Sequence, residues 1–339
     1  MRGLYGRKMF DIALRERPDI PVTGRMVRIR VEACGVCGTD LHFLRELDEY
    51  TPMGHEISAV VEEIGPEVSR VKVGDRVICE DVTACGACPA CKTGHTRLCR
   101  NGDTLEGQPG MSDHMVVHEN MLNVFDGIDP VTASMVEPLA VAIRGVDKLA
   151  LRPFASLAIF GMGAIGLLAA AYARAMGAGR IAMVARNPRS LRNRAAEAAA
   201  RDLGADEVYY SGEGPGYIDR MIDPGTFDAA IVAAPPSACA DAMKVVGYGG
   251  SVLAQGITFA GDPMVTLDVS DMVFNKKQLL TSLAEPAANF PLSIQMIRSG
   301  RVDAGRIITH RLPLEEAGRL GGLYGKDAPA IKTVILCGK

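Results

Sequence analysis

Residues 156–185 constrain the fold more than any other stretch. A short apolar run, Ser156-Leu-Ala-Ile-Phe160, leads into Gly161-Met-Gly163-Ala164-Ile165-Gly166. An alanine-rich run to Gly177 and a second apolar run at 181–184 follow. In order, this reads as strand, tight turn, helix, strand. Glycines at these spacings let the backbone and the helix N-terminus approach a pyrophosphate, which makes Gly161, Gly163, Ala164, Ile165 and Gly166 candidate cofactor residues. The motif alone would be weak; the flanking strand and helix give it weight. The alternation continues, with strands expected at 207–210, 227–233, 250–255 and 278–282, and helices such as 189–203 and 237–246. Strands alternating with helices predict an α/β chain built on a doubly wound parallel sheet.

Residues 153–173 carry no charge and are long enough to span a membrane. Their glycines and lack of an aromatic belt favour a buried strand-turn-helix instead. The first ten residues lack the apolar core of a signal peptide, so a soluble, cytoplasmic protein is expected. With 37 basic and 40 acidic residues, net charge is −3. No basic field exists to hold a phosphate backbone, which argues against nucleic acid as a partner. A chain of 339 residues is too long for one small core and suggests two domains.

Nine cysteines, an odd number without a secretion signal, argue against a disulfide framework. Cys85, Cys88, Cys91 and Cys99 are spaced to wrap one tetrahedral ion in four thiolates, a coordinatively closed and therefore structural zinc site. Cys79, Cys239 and Cys337 read as small buried hydrophobes. Cys34 and Cys37 form a C-x-x-C pair, open to a redox reading, although no helix pattern suited to one follows. Split, Cys34 ends a buried strand, while Cys37 joins His55, Glu56 and Glu137 as a set suited to a zinc ion with one open position, as catalysis requires. On spacing alone, each of these residues also has an ordinary reading as core or surface.

The end of the second strand distinguishes the nicotinamide cofactors, because a carboxylate there binds a ribose 2′-hydroxyl and repels a 2′-phosphate. Here Ala185 occupies that place. Arg186 follows, with Arg189 and Arg192 nearby. Three arginines and no acid favour NADP over NAD.

The segments Gly35-Val-Cys37-Gly-Thr39-Asp-Leu-His42, Gly54-His55-Glu56, Val73-Gly-Asp-Arg-Val77, the four-cysteine lobe, Glu137-Pro-Leu-Ala140, Gly161–Gly166 and Ile308-Thr-His310 together resemble the zinc-dependent medium-chain dehydrogenase/reductase family of the alcohol dehydrogenase superfamily. The pattern is nearest its polyol branch of sorbitol, threonine and glucose dehydrogenases and runs nearly end to end. The resemblance implies a GroES-like β-rich catalytic domain over 1–147 with a structural zinc lobe. A Rossmann dinucleotide-binding domain would span 148–283, and 284–339 would return to the catalytic domain. It implies two zinc ions per chain. The catalytic ion would be held by Cys37, His55 and an acid, either Glu56 or Glu137, with exchange between them left open. Thr39 would sit beside the substrate hydroxyl and His42 would pass its proton to solvent. Zinc would acidify that hydroxyl while hydride moves to the nicotinamide. Glutamate at 137, where other alcohol dehydrogenases have a second cysteine, favours a polyol-type substrate. Family members are dimers or tetramers, so a homo-oligomer is expected. A zinc-free reductase or a non-enzymatic binding protein of the same fold would have lost Cys37 and His55 or the glycine turn, and all are intact.

The stretch from Cys37 to His55 is several residues shorter than expected for the polyol branch, where it forms part of the wall over the zinc. Shortening should widen the cleft. The remaining segment, Arg45-Glu46-Leu47-Asp48-Glu49-Tyr50, is acidic, and Asp113 lies nearby by family analogy. A wide, acidic mouth points to a bulky cationic amino sugar or aminocyclitol glycoside, as in aminoglycoside biosynthesis. The alternatives are a small neutral polyol or amino-acid alcohol, with these acids an ordinary solvated loop.

Overall fold

A computed structural model describes residues 1–258, 262–283, 286–325 and 328–338, excepting the side chains of 286 and 287. A hairpin, β1 (Arg2–Arg7) and β2 (Asp11–Glu16), opens the chain. In β3 (Met26–Gly35), Val27, Ile29, Val31 and Ala33 are fully buried and alternate with charged residues, the period-two pattern of a strand with one face in the core. Then come α1 (Gly38–Glu46), β4 (Thr51–Pro52), β5 (Glu56–Ile64) and β6 (Arg76–Cys79). The cysteine lobe contains α2 (Pro89–Lys92). Beyond it run β7 (His114–His118), β8 (Leu122–Val124), α3 (Pro130–Ala133) and the long helix α4 (Val136–Lys148).

From β9 (Leu157–Phe160) the chain alternates: α5 (Ala164–Ala175), β10 (Ile181–Ala185), α6 (Leu191–Asp202), β11 (Glu207–Tyr210), α7 (Gly216–Ile222), β12 (Phe227–Val232), α8 (Cys239–Val245), β13 (Val246–Ala254), α9 (Val269–Phe274) and β14 (Gln278–Thr281). All ladders are parallel, in the order β11-β10-β9-β12-β13-β14. The order reverses between β9 and β12, and the crevice beyond their C-terminal ends is where such sheets bind ligands. The uncharged run at 153–173 folds as β9, its turn and most of α5. No helix among the described residues is long and apolar enough to cross a membrane. The largest boundary difference from expectation is at β13, which starts four residues early and takes the end of the expected helix. A register shift between Phe227 and Ala229 lets Val246 pair with Phe227 ahead of the main ladder.

After α10 (Phe290–Arg298), β15 (Ile308–Pro313), α11 (Leu320–Leu323) and β16 (Lys332–Leu336), the chain rejoins its beginning. β16 pairs antiparallel with β3, giving the sheet order β15-β16-β3-β5-β6-β8, with β7 also alongside β3. Leu139, Ile143 and Val146 of α4 share one apolar core with Leu167, Leu168 and Ala171 of α5. These two helices join the two halves.

Candidate metal centres and dinucleotide cleft

Three ligand-type side chains meet where β3, α1 and β5 converge. Cys37 caps α1. Asp40, buried three residues on, accepts the Cys37 N–H at 2.8 Å with one carboxylate oxygen and the Gly54 N–H at 2.8 Å with the other. One carboxylate thus ties the cysteine loop to the histidine loop. Gly54 has φ +90°, a left-handed turn that delivers His55 to the site. One donor atom from each of Cys37, His55 and Glu56 lies within 4.8 Å of the others, a spacing that one tetrahedral zinc satisfies. The Thr39 hydroxyl stands 3.8 Å from the Cys37 sulfur. His42 lies three residues further along α1, on the same helix face.

Glu56 has a partner that sequence reasoning missed. Lys332, at the start of β16, places its Nζ 2.5 Å from the Glu56 carboxylate and donates to the Val36 carbonyl at 2.9 Å. The two side chains are only 3% and 1% exposed. Burial works against the ammonium, yet Glu56 and Cys37 outweigh it and raise its pKa. Gly35 makes room for the pair, since a Cβ there would collide with the Glu56 carboxylate.

Glu137, in the first turn of α4, is buried and faces the same centre, but outside the three-atom group. Burial pushes its carboxyl up to about 8 against the pull of His55, with Glu56 and Asp81 adding to the rise. Burial also opposes a charged His55, but Cys37, Asp40 and Glu137 prevail and raise its pKa well above the usual imidazole range. The site is a compact set of sulfur, nitrogen and carboxylate donors of the kinds that ligate zinc.

The second cluster is local. The sulfurs of Cys85, Cys88, Cys91 and Cys99 lie within 4.8 Å of one another. Left-handed Gly86 and Gly94 turn the loop, and Pro89 starts α2. Backbone N–H groups of Ala87 and Cys88 hold the Cys85 thiol down near 6, favouring the thiolate that zinc requires.

The glycine turn follows β9. Gly161 has φ +118° and a Cβ there would strike the Ala233 carbonyl; a Cβ at Gly166 would strike the Gly161 carbonyl. Only glycine fits either place. Gly163 is different: the nearest atom to its Cβ position is Arg192 Nη2 at 3.5 Å, so its space is open to a ligand. Ala164 and Ile165 form the first turn of α5, whose N–H groups have no intrahelical partner. A cavity of about 630 Å³ is lined by Gly161, Gly163, Ala185, Arg186, Arg192 and Ser211, among others. The turn and cavity fit a dinucleotide.

Ala185 closes β10, and Arg186 extends from its end. Arg189 does not line the cavity. Its N–H bonds the Asn187 side chain at 2.9 Å, and this tight turn carries residue 189 past the cleft, so that Arg192 reaches it instead.

The acidic mouth is weaker than its composition suggests. Asp48 pairs with Lys8, Asp113 is held in a two-bond fork by Arg2, and the Tyr50 hydroxyl donates to Asp11. Glu46 and Glu49 remain exposed.

Lys332 had a signal, a single charge inside the apolar run at 330–337; so did Asp40, three residues after a helix-capping position.

Residues 24–126 match the alcohol dehydrogenase GroES-like domain family, and residues 164–299 match the zinc-binding dehydrogenase family. The chain is 32% identical over 323 residues to L-threonine 3-dehydrogenase of Bacillus velezensis, covering 91% of this chain and 90% of that protein. It is 29% identical over 321 residues to sorbitol dehydrogenase of Bacillus subtilis, covering 90% and 88%. The solved alcohol dehydrogenase of Thermus sp. ATN1 superposes with a TM-score of 0.87 at 25% identity, covering 99% of this chain and all of that one. The chain therefore belongs to the zinc-type medium-chain alcohol and polyol dehydrogenases, oxidoreductases acting on CH–OH groups with a nicotinamide cofactor.

Proposed function

We propose that this enzyme interconverts a secondary alcohol of a sugar, amino sugar or cyclitol and its ketone, using a catalytic zinc and preferring NADP to NAD. The observation that carries the reading is the Cys37–His55–Glu56 donor set, with Glu137 in the first turn of α4 and the glycine turn opening α5, the two helices sharing one core. When bound, zinc supplies the Lewis acidity that makes an alcohol proton labile, and the nicotinamide takes the hydride. The chain's own groups do the rest. Cys37 and His55 hold the metal together with Glu56 or Glu137. Lys332 neutralises Glu56, and either Glu56 or Glu137 would complete the ligand set. The Thr39 hydroxyl relays the substrate proton, accepting it as it gives up its own, and His42 passes the proton on toward solvent. Cys85, Cys88, Cys91 and Cys99 hold a second, structural zinc.

NADP preference rests on Arg186 beside Ala185, where a carboxylate would repel a 2′-phosphate. An amino-bearing substrate is supported by the exposed Glu46 and Glu49, and by Asp81, whose charge reaches Glu137. Such groups attract an ammonium, and the aminoglycoside-type reading rests on them. Residues 148–283 form the nucleotide domain, since they contain the whole parallel sheet; 1–147 and 284–339 form the catalytic one. A homodimer or tetramer is supported by β14, an edge strand flanked by exposed Val269, Val273, Phe274 and Leu283. Nine free cysteines suit the reducing cytoplasm.

The test is the appearance of reduced nicotinamide when zinc-replete protein meets amino-sugar, cyclitol and neutral polyol alcohols with either cofactor. Turnover with NADP⁺, and higher kcat/KM for aminated substrates, is the expected outcome. No turnover of any secondary alcohol would overturn the reaction. Better use of NAD⁺ would overturn the cofactor preference, and equal efficiency on neutral polyols would overturn the substrate class.

A further inference from the structure

A second cavity, of about 610 Å³, lies at the end of the parallel sheet opposite the dinucleotide cleft, where β9, β12 and β13 begin. The loop of residues 149–155, which leads into β9, forms one wall. The other is a turn, Gly247-Tyr248-Gly249-Gly250, and the start of β12 lies between them. The turn exists because the β12–β13 register shifts. Asp228 alone separates Phe227 from Ala229, while four residues separate their partners, Val246 and Ser251. The extra residues leave the ladder as a bulge. No residue of either metal centre or of the Gly161–Gly166 turn borders this cavity.

The lining holds side chains without partners. Phe154 has φ +65°, a left-handed backbone that is costly for a bulky side chain and natural to glycine. Its N–H donates to the Gly177 carbonyl at 2.7 Å, and a Cβ at Gly179 would strike its carbonyl, so the surroundings hold the strain in place. Yet the ring presented in this way is 85% exposed, and the Tyr248 ring on the other wall is 69% exposed. The side chains of Arg152, Thr226 and Ser251 have no hydrogen bond or ion pair among the described residues. Lys276 places its ammonium 5.3 Å from the centre of the Tyr248 ring and adds a second cation on that side. Asp228 is the one acid in the lining. One of its oxygens accepts from the Ser156 N–H and hydroxyl, both at 2.7 Å, and the other is open.

These groups fit one kind of ligand. Exposed rings on two walls suit a flat heterocycle, unpaired cations suit a phosphate, and an open carboxylate oxygen suits ring N–H donors. A volume of about 610 Å³ is within the range of small-molecule sites, roughly 300–1,000 Å³. We propose that this cavity binds a purine nucleotide at a site separate from the dinucleotide cleft. Phe154 and Tyr248 stack the base, Arg152 pairs with the phosphate, Asp228 accepts N–H groups of the base, and the Thr226 and Ser251 hydroxyls bond the ribose. The strained turn is kept for the ring it presents: glycine would make the same turn without strain but would leave one face of the base uncovered.

The test is equilibrium dialysis of labelled GMP against zinc-replete protein whose dinucleotide cleft is saturated with NADPH. Guanosine, which lacks the phosphate, and ribose 5-phosphate, which lacks the base, serve as competitors. GMP should bind at one site per chain with NADPH in place, and each competitor should be weaker by about tenfold or more. Phe154→Gly should weaken GMP by a similar factor without lowering the unfolding midpoint of ligand-free protein, because relief of strain offsets the freedom that glycine adds to the unfolded chain. Arg152→Gln should erase the advantage of GMP over guanosine. Neither variant should change NADPH affinity or turnover. Absence of saturable GMP binding beside NADPH would overturn the site, as would unchanged GMP affinity in Phe154→Gly. A lowered unfolding midpoint in that variant would show that the ring serves the fold, and dissociation of an oligomer, read by light scattering, would show that it covers a second copy of the chain. Either result would overturn the proposal.

Discussion

Replacing Lys332 by methionine should cost this protein several kilocalories per mole, and the structure says why. The ammonium lies 2.5 Å from the Glu56 carboxylate, and the pair is 3% and 1% exposed. Methionine fills a similar volume but leaves a buried carboxylate without a counter-ion. Breaking a buried pair from one side costs about 3–5 kcal/mol. Equilibrium urea unfolding of metal-stripped protein should show that loss in the transition of the catalytic half. Zinc should shrink it, because the metal offers Glu56 another cation. The double variant Lys332→Met with Glu56→Gln should regain most of the stability, since replacing both charges of a buried pair is close to neutral. Unaltered stability of metal-stripped Lys332→Met would refute the reasoning. So would a double variant whose loss equals the sum of the two single losses, which would show that the residues do not act as a pair.

The two metal sites should fail differently. Cys91→Ala should lower metal content by one zinc per chain and lower the unfolding midpoint, because structural metal contributes folding energy. Cys37→Ala should abolish turnover while leaving the lobe zinc and the fold in place, as metal analysis with circular dichroism would show. Glu80, buried after β6, has a carboxyl raised from 4.5 to about 7 by burial, against a bond from Asn123. The folded state binds that proton more tightly, so the group's stabilising contribution is full below pH 4.5 and is lost as pH rises through 7. Glu80→Gln should gain about 3 kcal/mol at pH 8 and nothing at pH 4.5; equal gains at both would show that Glu80 is not the group titrating.

The parallel sheet was legible because its signals are local: strand, glycine turn and helix follow one another, and Gly161 and Gly166 occupy positions where a Cβ cannot fit. The cysteine lobe was legible for the same reason, since fifteen residues contain all four sulfurs. What escaped was long-range or depended on one turn. Lys332 matters only because β16 returns to β3, placing it beside a residue 276 positions earlier. Arg189 and Arg192 look equivalent in a basic segment, and the Asn187 turn alone decides which reaches the cleft. The composition of the acidic mouth did not reveal that two of its carboxylates, Asp48 and Asp113, are paired, because their counter-charges, Lys8 and Arg2, come from the first strand and its turn.

The return of β16 has a consequence for biosynthesis. A ribosome emits β3 and β5 early, yet the sheet edge that β16 covers and the counter-ion of Glu56 emerge only after the entire nucleotide-binding half. Until then β3 exposes an unpaired edge, and the carboxylate beside Cys37 and His55 has no lysine. The intervening half, whose strands pair only with one another, can fold in the meantime. A nascent chain of this enzyme thus has its cofactor cradle before Glu56 gains its counter-ion, and a chain that stalls late leaves a half-built sheet with an open edge.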